Sequence, residues 1–447
     1  MIKDAYKLSA TEALSLFASG KLSSVELVKS CLTRITETDD AIRAWVYLDP
    51  EAVLAQAAEC DRIRKAGLAT GPLHGIPVAL KDIIDTADMP TGRGTPIFKG
   101  RRTDHDARLV ELLRGAGAVI MGKTVTTELA FVHPNETRNP HNPDHTPGGS
   151  SSGSAAAVAA YHVPLSIGTQ TNGSVIRPAS FCGTFGFKPT RGVISRSGLL
   201  QTSDSLDQVG CFGRTLADVA LLTDVIGGYD GRDSTSFARP RPAMAQGAAQ
   251  DAPVTPSLVW FDLPFNDRLS DDARDGIEAV LDILGPSVSR MEPADTLSNL
   301  VAVQARIHEY EICAQQAEVF ETHWDQISDT LKPVVTRGRQ ISQAEYEDAL
   351  AVKASAEAFF LDFFTEYDAI IAPSATGEAP RFDAGGTGDP IFCTIWTLAG
   401  LPCVSLPLLV GETGLPIGVQ LIGPAEKDNR LLRTARWLQT QLAEAAQ

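Results

Sequence analysis

Two segments of this 447-residue sequence carry residue types suited to acyl transfer. Lys81 stands inside the apolar run VALKDII, where loss of hydration would lower its pKa and leave a neutral amine able to accept a proton. The competing interpretation is a lysine at a strand end, reaching water or paired with an aspartate. Ser174 follows Asn172 and Gly173, which favour a tight turn that can point successive N–H groups at one spot. An ordinary turn between strands is the alternative there.

A third segment, TPGGSSSGSAAAVAA at 146–160, sets glycines and serines against alanines. Glycine and serine are typical of flexible linkers, whereas alanine favours helix and allows close packing on a sheet. We therefore expect a rigid loop ahead of a buried helix. Residues 149–153 also match the nucleophile elbow G-x-S-x-G, with Ser151 as nucleophile. That motif needs a preceding strand, which the proline-rich NPHNPDHTPG does not supply.

Composition excludes several classes of function. The formal net charge of -16 is unlike the basic footprint of a nucleic-acid-binding protein, and 43% hydrophobic residues are enough for a folded core. Seven scattered cysteines without C-x-x-C are typical of reduced thiols in a cytoplasm. His133, His141 and His145 lack H-E-x-x-H or a cysteine partner, so we expect no metal and no cofactor. We also expect neither an export signal nor a transmembrane span.

The elements that must position these residues alternate between strands and helices. Capping boxes at Ser9–Glu12 and Ser23–Glu26 predict amphipathic helices within the first 65 residues. This alternation favours an α/β sheet with helices on both faces. Residues 230–256 lack an apolar period and are rich in Pro, Ala, Gln and Arg, which predicts an exposed connection. Residues 270–367 are predicted to be mostly helical. Strands are predicted near 76–84, 118–124, 163–171, 368–374 and twice near the C-terminus, and further helices near 106–116, 153–161, 215–226 and from 428.

Taken together, the three segments resemble the amidase signature family. The resemblance covers nearly the whole chain outside about 230–365, and the serine-rich loop and arginine spacing are most similar to malonamidase-like bacterial amidases. It implies one α/β amidase domain over 1–447, with a mixed central sheet flanked by α-helices on both faces and a variable, mainly helical substrate-pocket region at 235–365. The matching segments are GIPVALKD, TRNPHNPDHTPGGSSSGSAAAVAA, GTQTNGSVIRPASFCGTFGFKPT, TLAGLPCVSLPL and GLPIGVQLIG.

The same resemblance implies a Ser, cis-Ser, Lys triad. The family's usual 24-residue gap between the two serines assigns the nucleophile to Ser174 and the cis-serine to Ser150, with Lys81 as the base. Lys81 would take a proton from Ser150 while Ser150 takes one from Ser174, and the attack would give an acyl-enzyme. An oxyanion hole is implied for the backbone N–H groups of Thr171, Asn172, Gly173 and Ser174.

Substrate contacts are predicted for Arg177, Gly149 and Ser151. Arg177 could clamp a substrate carboxylate through two parallel hydrogen bonds, or it could hold neighbouring loops as a structural arginine. Ser151 and Ser154 also match positions that support the triad through hydrogen bonds in relatives.

The nucleophile segment departs from the G-S-D-T-G-G-S-I-R pattern of many relatives. Gln170 stands in place of the aspartate, and Asn172 stands in place of a glycine. Arg177 lies three rather than two residues after Ser174. These differences affect the details of the oxyanion turn.

The sequence thus predicts a hydrolase that cleaves a C–N amide bond of a small molecule through a serine acyl-enzyme. Its expected partners are a small-molecule amide and water, without nucleic acid or membrane, with a homodimer as an option. Carbamates and ureas are alternative substrates, because the same acyl transfer applies. A glutaminase-type subunit of a tRNA amidotransferase complex and a catalytically silent scaffold are further alternatives. Four aromatic residues of the variable region suit a core or a pocket equally: Trp260, Phe265, Tyr310 and Trp324.

Overall fold

Eleven strands form one sheet within residues 2–292 and 295–446, the part of the chain that the computed structural model describes. In chain order they are β1 (Trp45–Leu48), β2 (Pro77–Lys81), β3 (Val119–Thr124), β4 (Leu165–Gln170), β5 (Phe185–Lys188), β6 (Gln208–Gly213), β7 (Leu258–Phe261), β8 (Val288–Met291), β9 (Ala369–Pro373), β10 (Cys403–Val410) and β11 (Pro416–Ile422). The order across the sheet is β1-β3-β2-β4-β6-β5-β10-β11-β9-β7-β8.

Fifteen α-helices of the described residues flank this sheet. They are α1 (Ala10–Ala18), α2 (Ser24–Ile42), α3 (Pro50–Lys65), α4 (Arg108–Gly115), α5 (Ser152–Ala159), α6 (Ile176–Cys182), α7 (Leu216–Ile226), α8 (Met244–Ala249), α9 (Asp271–Leu284), α10 (Asp295–Gln315), α11 (Ala317–Thr322), α12 (Lys332–Gly338), α13 (Gln343–Phe363), α14 (Ile391–Leu398) and α15 (Asp428–Ala445).

The sheet is mixed, as the sequence predicts. Strand β2 pairs in parallel with both β3 and β4, and β7 pairs in parallel with β8 and β9. The remaining ladders are antiparallel. Helices such as α5 and α7 pack on its central strands. The predicted α/β class, with a mixed sheet flanked by helices, is confirmed.

The N-terminal helices begin where the sequence places them. In α1 the hydroxyl of Ser9 accepts from the backbone N–H of Glu12, whose carboxylate accepts from the N–H of Ser9 in return. Ser23 and Glu26 form the same box at the start of α2. Both capping predictions are confirmed.

Part of the predicted exposed connection is packed instead. Helix α8 lies inside 230–256 and buries Met244 and Ala248. Its first N–H groups, those of Met244 and Ala245, donate to the carboxylate of Asp224 at 2.8 Å. The prediction of exposure is wrong over this helix, because six residues are too few for an apolar period to be visible in the sequence.

Two strands of the 235–365 segment extend the common sheet. Strands β7 and β8 add to the sheet beyond β9, and helices α9 to α13 supply most of the rest of the segment. Residues 293 and 294 of this segment lie outside the described residues. The segment is mainly helical, but it shares the sheet of the rest of the chain.

The topology brings the candidate residues together at the carboxyl ends of two neighbouring central strands. Lys81 is the last residue of β2, and β4 ends at Gln170, four residues before Ser174. Because β2 and β4 are parallel neighbours, their carboxyl ends lie side by side. Helix α5, which follows the serine-rich loop, packs on β2 and β4.

The chain shows no cross-links and no membrane-spanning helix within the described part. All seven cysteines are free thiols, and six of them are buried. No helix in residues 2–292 and 295–446 combines the length and the apolar character needed to cross a bilayer.

Candidate active site

Lys81 is fully buried at the end of β2. Its Nζ donates to Oγ of Ser150 at 2.7 Å and to Oγ1 of Thr169 at 2.8 Å. Burial lowers the pKa of Lys81 to about 7, against a smaller opposing effect of the Asp207 charge. The amine therefore populates its neutral form near neutral pH. It neither reaches water nor pairs with a carboxylate of the described residues.

The serine-rich loop is held by hydrogen bonds to neighbouring segments. The peptide bond between Gly149 and Ser150 is cis, and Gly148 has a φ of 81°, which favours glycine. The carbonyl of Ser150 accepts from the N–H of Thr127 at 3.2 Å and from Oγ1 of Thr126 at 3.1 Å. Buried α5 follows directly.

Ser151 in the loop and Ser154 on α5 support strand β4. Ser151 is fully buried; its Oγ donates to the carbonyl of Thr169 at 3.1 Å and accepts from the N–H of that residue at 3.2 Å. Ser154 donates to the carbonyl of Ile167 at 2.9 Å. Ser151 thus holds the threonine that Lys81 contacts, and its predicted substrate contact stays a prediction.

Ser174 lines a cavity of about 240 Å³. It lies in a turn between β4 and α6, and the backbone N–H groups of Asn172, Gly173 and Ser174 donate to no acceptor within residues 2–292 and 295–446. A Cβ at Gly173 would lie 2.9 Å from Cβ of Pro390, so this wall requires a glycine. Backbone N–H groups without an acceptor, beside a serine hydroxyl, are one requirement of an oxyanion hole.

Gln170 holds the start of the nucleophile turn. Its Oε1 accepts from the N–H groups of Val175 at 2.8 Å and Ile176 at 3.0 Å, and its Nε2 donates to Oγ1 of Thr397 at 2.9 Å. Thr397 in turn donates to the carbonyl of Asn172. A neutral amide therefore occupies the position where many family members carry an aspartate, with all of its hydrogen bonds inside the turn or to the helix beside it.

Asn172 connects the turn to two helices. Its Nδ2 donates to Oε1 of Gln304 on α10 at 3.2 Å, and its Oδ1 accepts from Oγ1 of Thr394 on α14 at 2.7 Å. Gln304 returns a hydrogen bond from Nε2 to the carbonyl of Thr171 at 3.1 Å. The second departure from the family pattern thus ties the turn to α10, part of the variable segment.

Arg177 lies three residues after Ser174 and contacts the serine-rich loop. Its Nη2 donates to the carbonyl of Gly149 at 2.6 Å and to Oγ1 of Thr387 at 3.1 Å, while its buried Nε has no partner within the described residues. Burial lowers its pKa to about 10, so the guanidinium remains charged at neutral pH. Arg177 joins the two loops; a contact with a substrate carboxylate stays a prediction.

The three loop histidines are engaged separately. His133 contacts Oγ1 of Thr330 at 2.8 Å, His141 contacts the carbonyl of Cys182 at 2.9 Å, and His145 contacts the carbonyl of Ala379 at 2.6 Å. Within the described part of the chain, no group of three or more His, Cys, Asp or Glu residues is arranged to hold a metal ion.

Helices α10 and α12 contribute Gln304, His308 and Val334 to the cavity that Ser174 lines. Sequence reasoning missed these residues. Gln304 and His308 are buried polar residues one helical turn apart, and that spacing on one face was the available signal. None of Trp260, Phe265, Tyr310 and Trp324 belongs to the described lining of this cavity.

Comparison with known proteins identifies the class of enzyme. The family model described as Amidase matches residues 26–432. The chain therefore belongs to the amidase family, whose defining segments are those of the amidase signature, and it is a hydrolase of that family.

Individual relatives match nearly end to end. A Chloroflexus aurantiacus protein, by name one subunit of a glutamyl-tRNA(Gln) amidotransferase, is 36% identical over 472 residues, covering 96% of this chain and 95% of that protein. A solved structure described as a vestigial protein complex that reveals the origins of an s-triazine catabolic enzyme has a TM-score of 0.91 at 29% identity, covering 97% and 98%. The 6-aminohexanoate cyclic dimer hydrolase has a TM-score of 0.86 at 26% identity, covering 100% and 99%.

The relatives correct one prediction. The expected partners were a small-molecule amide and water, without nucleic acid, with a homodimer as an option. That prediction is wrong, because the Chloroflexus aurantiacus protein is by name one chain of an enzyme that acts on glutamyl-tRNA. The reasoning from net charge failed because the charge of -16 is a sum over one chain, whereas in a multi-chain enzyme another subunit can contact the nucleic acid.

Proposed function

We propose that this chain cleaves a C–N amide bond through an acyl-enzyme on Ser174, with Ser150 as proton relay and Lys81 as base. The observation that supports this most directly is the 2.7 Å contact between Nζ of Lys81 and Oγ of Ser150 in a fully buried site. A buried amine whose pKa is lowered to about 7 can take up and return a proton near neutral pH.

The proposed reaction has two halves. Oγ of Ser174 attacks the amide carbonyl, its proton passes to Ser150, and the proton of Ser150 passes to Lys81. The backbone N–H groups of Asn172, Gly173 and Ser174, with that of Thr171 as the family resemblance implies, stabilise the oxyanion. The relay then returns a proton to the departing amine as the C–N bond breaks. Water attacks the acyl-enzyme with the same proton path and releases the acid and Ser174.

The hydroxyls of Ser150 and Ser174 do not hydrogen-bond to each other in this structure. Catalytic hydrogen bonds are often long without substrate and shorten in the substrate complex. The contact of Arg177 with Gly149 supports their proximity, since it joins the residue before Ser150 to the helix that follows Ser174.

Replacement of Ser174 by alanine tests the assignment. We expect loss of amide turnover by at least about a thousandfold, with unchanged folding by circular dichroism. A fluorophosphonate should label the parent on the peptide that contains Ser174 and should not label Ser174→Ala. Normal turnover in the variant, or labelling at Ser151 instead, would refute the assignment.

We further propose that the chain is the amide-hydrolysing subunit of a multi-chain enzyme, with glutamine as the amide. The proposal is supported by the Chloroflexus aurantiacus relative and by the vestigial protein complex of the s-triazine structure. The unit is a single amidase domain over 1–447, cytoplasmic, with 235–365 supplying the variable pocket wall. Native mass spectrometry of tagged protein from its own host should show additional subunits of defined mass; a lone monomer or homodimer would contradict it.

A urea-type substrate is the second candidate. The solved structure described as revealing the origins of an s-triazine catabolic enzyme matches with a TM-score of 0.91, against 0.86 for the 6-aminohexanoate cyclic dimer hydrolase. Because an s-triazine ring alternates carbon and nitrogen, its breakdown products carry carbonyls flanked by nitrogen. A rate comparison between glutamine and a urea derivative on the purified enzyme separates the two candidates.

A further inference from the structure

His308 lines the same cavity as Ser174. It lies on α10, and its ring packs against Phe131 with centroids 4.4 Å apart. Burial lowers the pKa of His308 to about 4, so its imidazole is neutral at pH 7 and carries one N–H and one acceptor nitrogen.

A chain of hydrogen bonds assigns which nitrogen carries the proton. The Asp207 carboxylate accepts from Oγ1 of Thr171 at 2.5 Å and from Oγ1 of Thr202 at 3.0 Å. A hydroxyl has one hydrogen, and Thr202 gives it to Asp207. Oγ1 of Thr202 can therefore only accept from Nε2 of His308, 3.3 Å away. The network thus assigns the hydrogen to Nε2 and leaves Nδ1 as an acceptor.

Nδ1 makes no hydrogen bond to residues 2–292 and 295–446, and it is not sealed from solvent. The cavity therefore contains one acceptor nitrogen whose partner the described chain does not supply. Arg177, which lines the same cavity, can only donate hydrogen bonds. The cavity therefore suits a substrate with a donor near His308 and an acceptor near Arg177.

We propose that His308 determines specificity by accepting, through Nδ1, a hydrogen bond from an N–H group of the substrate. The inference rests on the proposed amide hydrolysis and narrows its substrate class to amides that bear a second nitrogen donor, such as an amino or ureido group. A methyl group in place of the substrate N–H would exclude water from Nδ1 without giving it a hydrogen-bond donor. Sites built to hydrogen-bond a substrate group bind analogues that lack this group much more weakly.

Paired substrates test the proposal because each pair exchanges an amino group for methyl or hydrogen. The pairs are malonamide and acetoacetamide, biuret and acetylurea, and L-glutamine and glutaramic acid. In the parent we expect kcat/KM to favour the donor-bearing member by about tenfold or more. His308→Phe keeps a ring but removes the acceptor, and should bring the ratio close to one.

A conservative variant and a packing control separate recognition from folding. His308→Asn places an acceptor oxygen near the position of Nδ1 and should retain most of the preference. Phe131→Leu removes the ring that packs on His308 and should slow both members of a pair alike. An unchanged ratio in His308→Phe, or a preference lost in Phe131→Leu and His308→Phe equally, would overturn the proposal.

The tautomer is testable without turnover. Imidazole nitrogen NMR on selectively labelled protein should show a protonated Nε2 and an unprotonated Nδ1, and Thr202→Val should weaken that bias. A protonated Nδ1 in the parent overturns the inference whatever the enzyme hydrolyses. Fluorophosphonate labelling of Ser174 distinguishes failure of the His308 proposal from failure of the proposed function. If Ser174 of His308→Phe is labelled and the variant still discriminates within each pair, only the role of His308 is rejected. If Ser174 of the parent is not labelled, the proposed function is rejected.

Discussion

Replacing Lys81 by methionine should abolish turnover and yet stabilise the fold at neutral pH. The unfolded chain holds this amine at its ordinary pKa of 10.5, whereas burial lowers it to about 7 in the folded protein. Because the folded protein binds this proton more weakly than the unfolded chain does, burial of Lys81 lowers the free energy of unfolding. This destabilisation is fully present below pH 7 and disappears as the pH rises to 10.5. Methionine fills a similar volume and carries no charge to desolvate.

The size of the effect follows from the two pKa values. The cost of the buried amine is about 5 kcal/mol well below pH 7, about 4 kcal/mol at pH 7 and about 1 kcal/mol at pH 9.5. Methionine leaves the hydroxyls of Ser150 and Thr169 without their partner, an offset of about 1–3 kcal/mol that does not vary with pH. The difference in unfolding free energy between variant and parent should thus fall by about 3 kcal/mol from pH 7 to pH 9.5.

Urea unfolding followed by tryptophan fluorescence at both pH values measures this difference. Lys188→Met is the matched control, because Lys188 is equally buried but donates to the carbonyls of Pro189 and Leu401 and to Oε1 of Gln208. Burial lowers the pKa of Lys188 as well, so the stability difference of Lys188→Met should also fall as pH rises. Its loss leaves three acceptors unpaired, so at pH 7 Lys188→Met should be less stable than Lys81→Met. A Lys81→Met variant that is less stable than the parent at pH 7, with a difference independent of pH, would refute the lowered pKa and the base assignment with it.

Three further outcomes follow from the site and the core. Arg177→Ala should slow amides with and without a free carboxylate alike, because it removes the contact with Gly149; a selective loss for carboxylates in a substrate panel would instead support a clamp. Asn172→Gly should lower kcat about tenfold with little change in KM, since it cuts the links of the turn to Gln304 and α14; steady-state kinetics that show only a raised KM would contradict this. Cys313, the half-buried thiol, should react first with a thiol reagent. The six buried cysteines, whose pKa values burial raises, should react only after unfolding. Several fast-reacting thiols in the folded protein would contradict this packing.

The sequence predicts long periodic elements well and short strands poorly. Helix α2 and strands β3 and β9 follow from capping boxes and apolar runs. Strands β1 and β7 have four residues each, so their alternation is too brief to recognise, and their pairing with β3 and β9 comes from distant parts of the chain.

The residues of the candidate site also differ in how far the sequence predicts them. Lys81, Ser150 and Ser174 are predicted because their segments resemble the family's motifs, and their catalytic roles stay a prediction. Gln304 and His308 lie more than a hundred residues from Ser174 in a segment without a motif. Their place in the cavity depends on how α10 packs against the nucleophile turn, through the pair formed by Gln304 and Asn172. Such a contact joins two side chains that nothing in either local sequence connects.

Burial of a lysine does not by itself make a base, and three buried lysines of this chain differ in what their partners can do. Lys188 donates only to oxygens that cannot donate in return, so loss of its proton would leave an acceptor unpaired. Lys123 donates to one such oxygen, the carbonyl of Ile84, and to one hydroxyl, and burial lowers its pKa to about 8. Lys81 contacts two hydroxyls, of Ser150 and Thr169. A hydroxyl can reverse its hydrogen bond when the amine loses a proton, so Lys81 can change its charge state while keeping both contacts, as a proton relay requires.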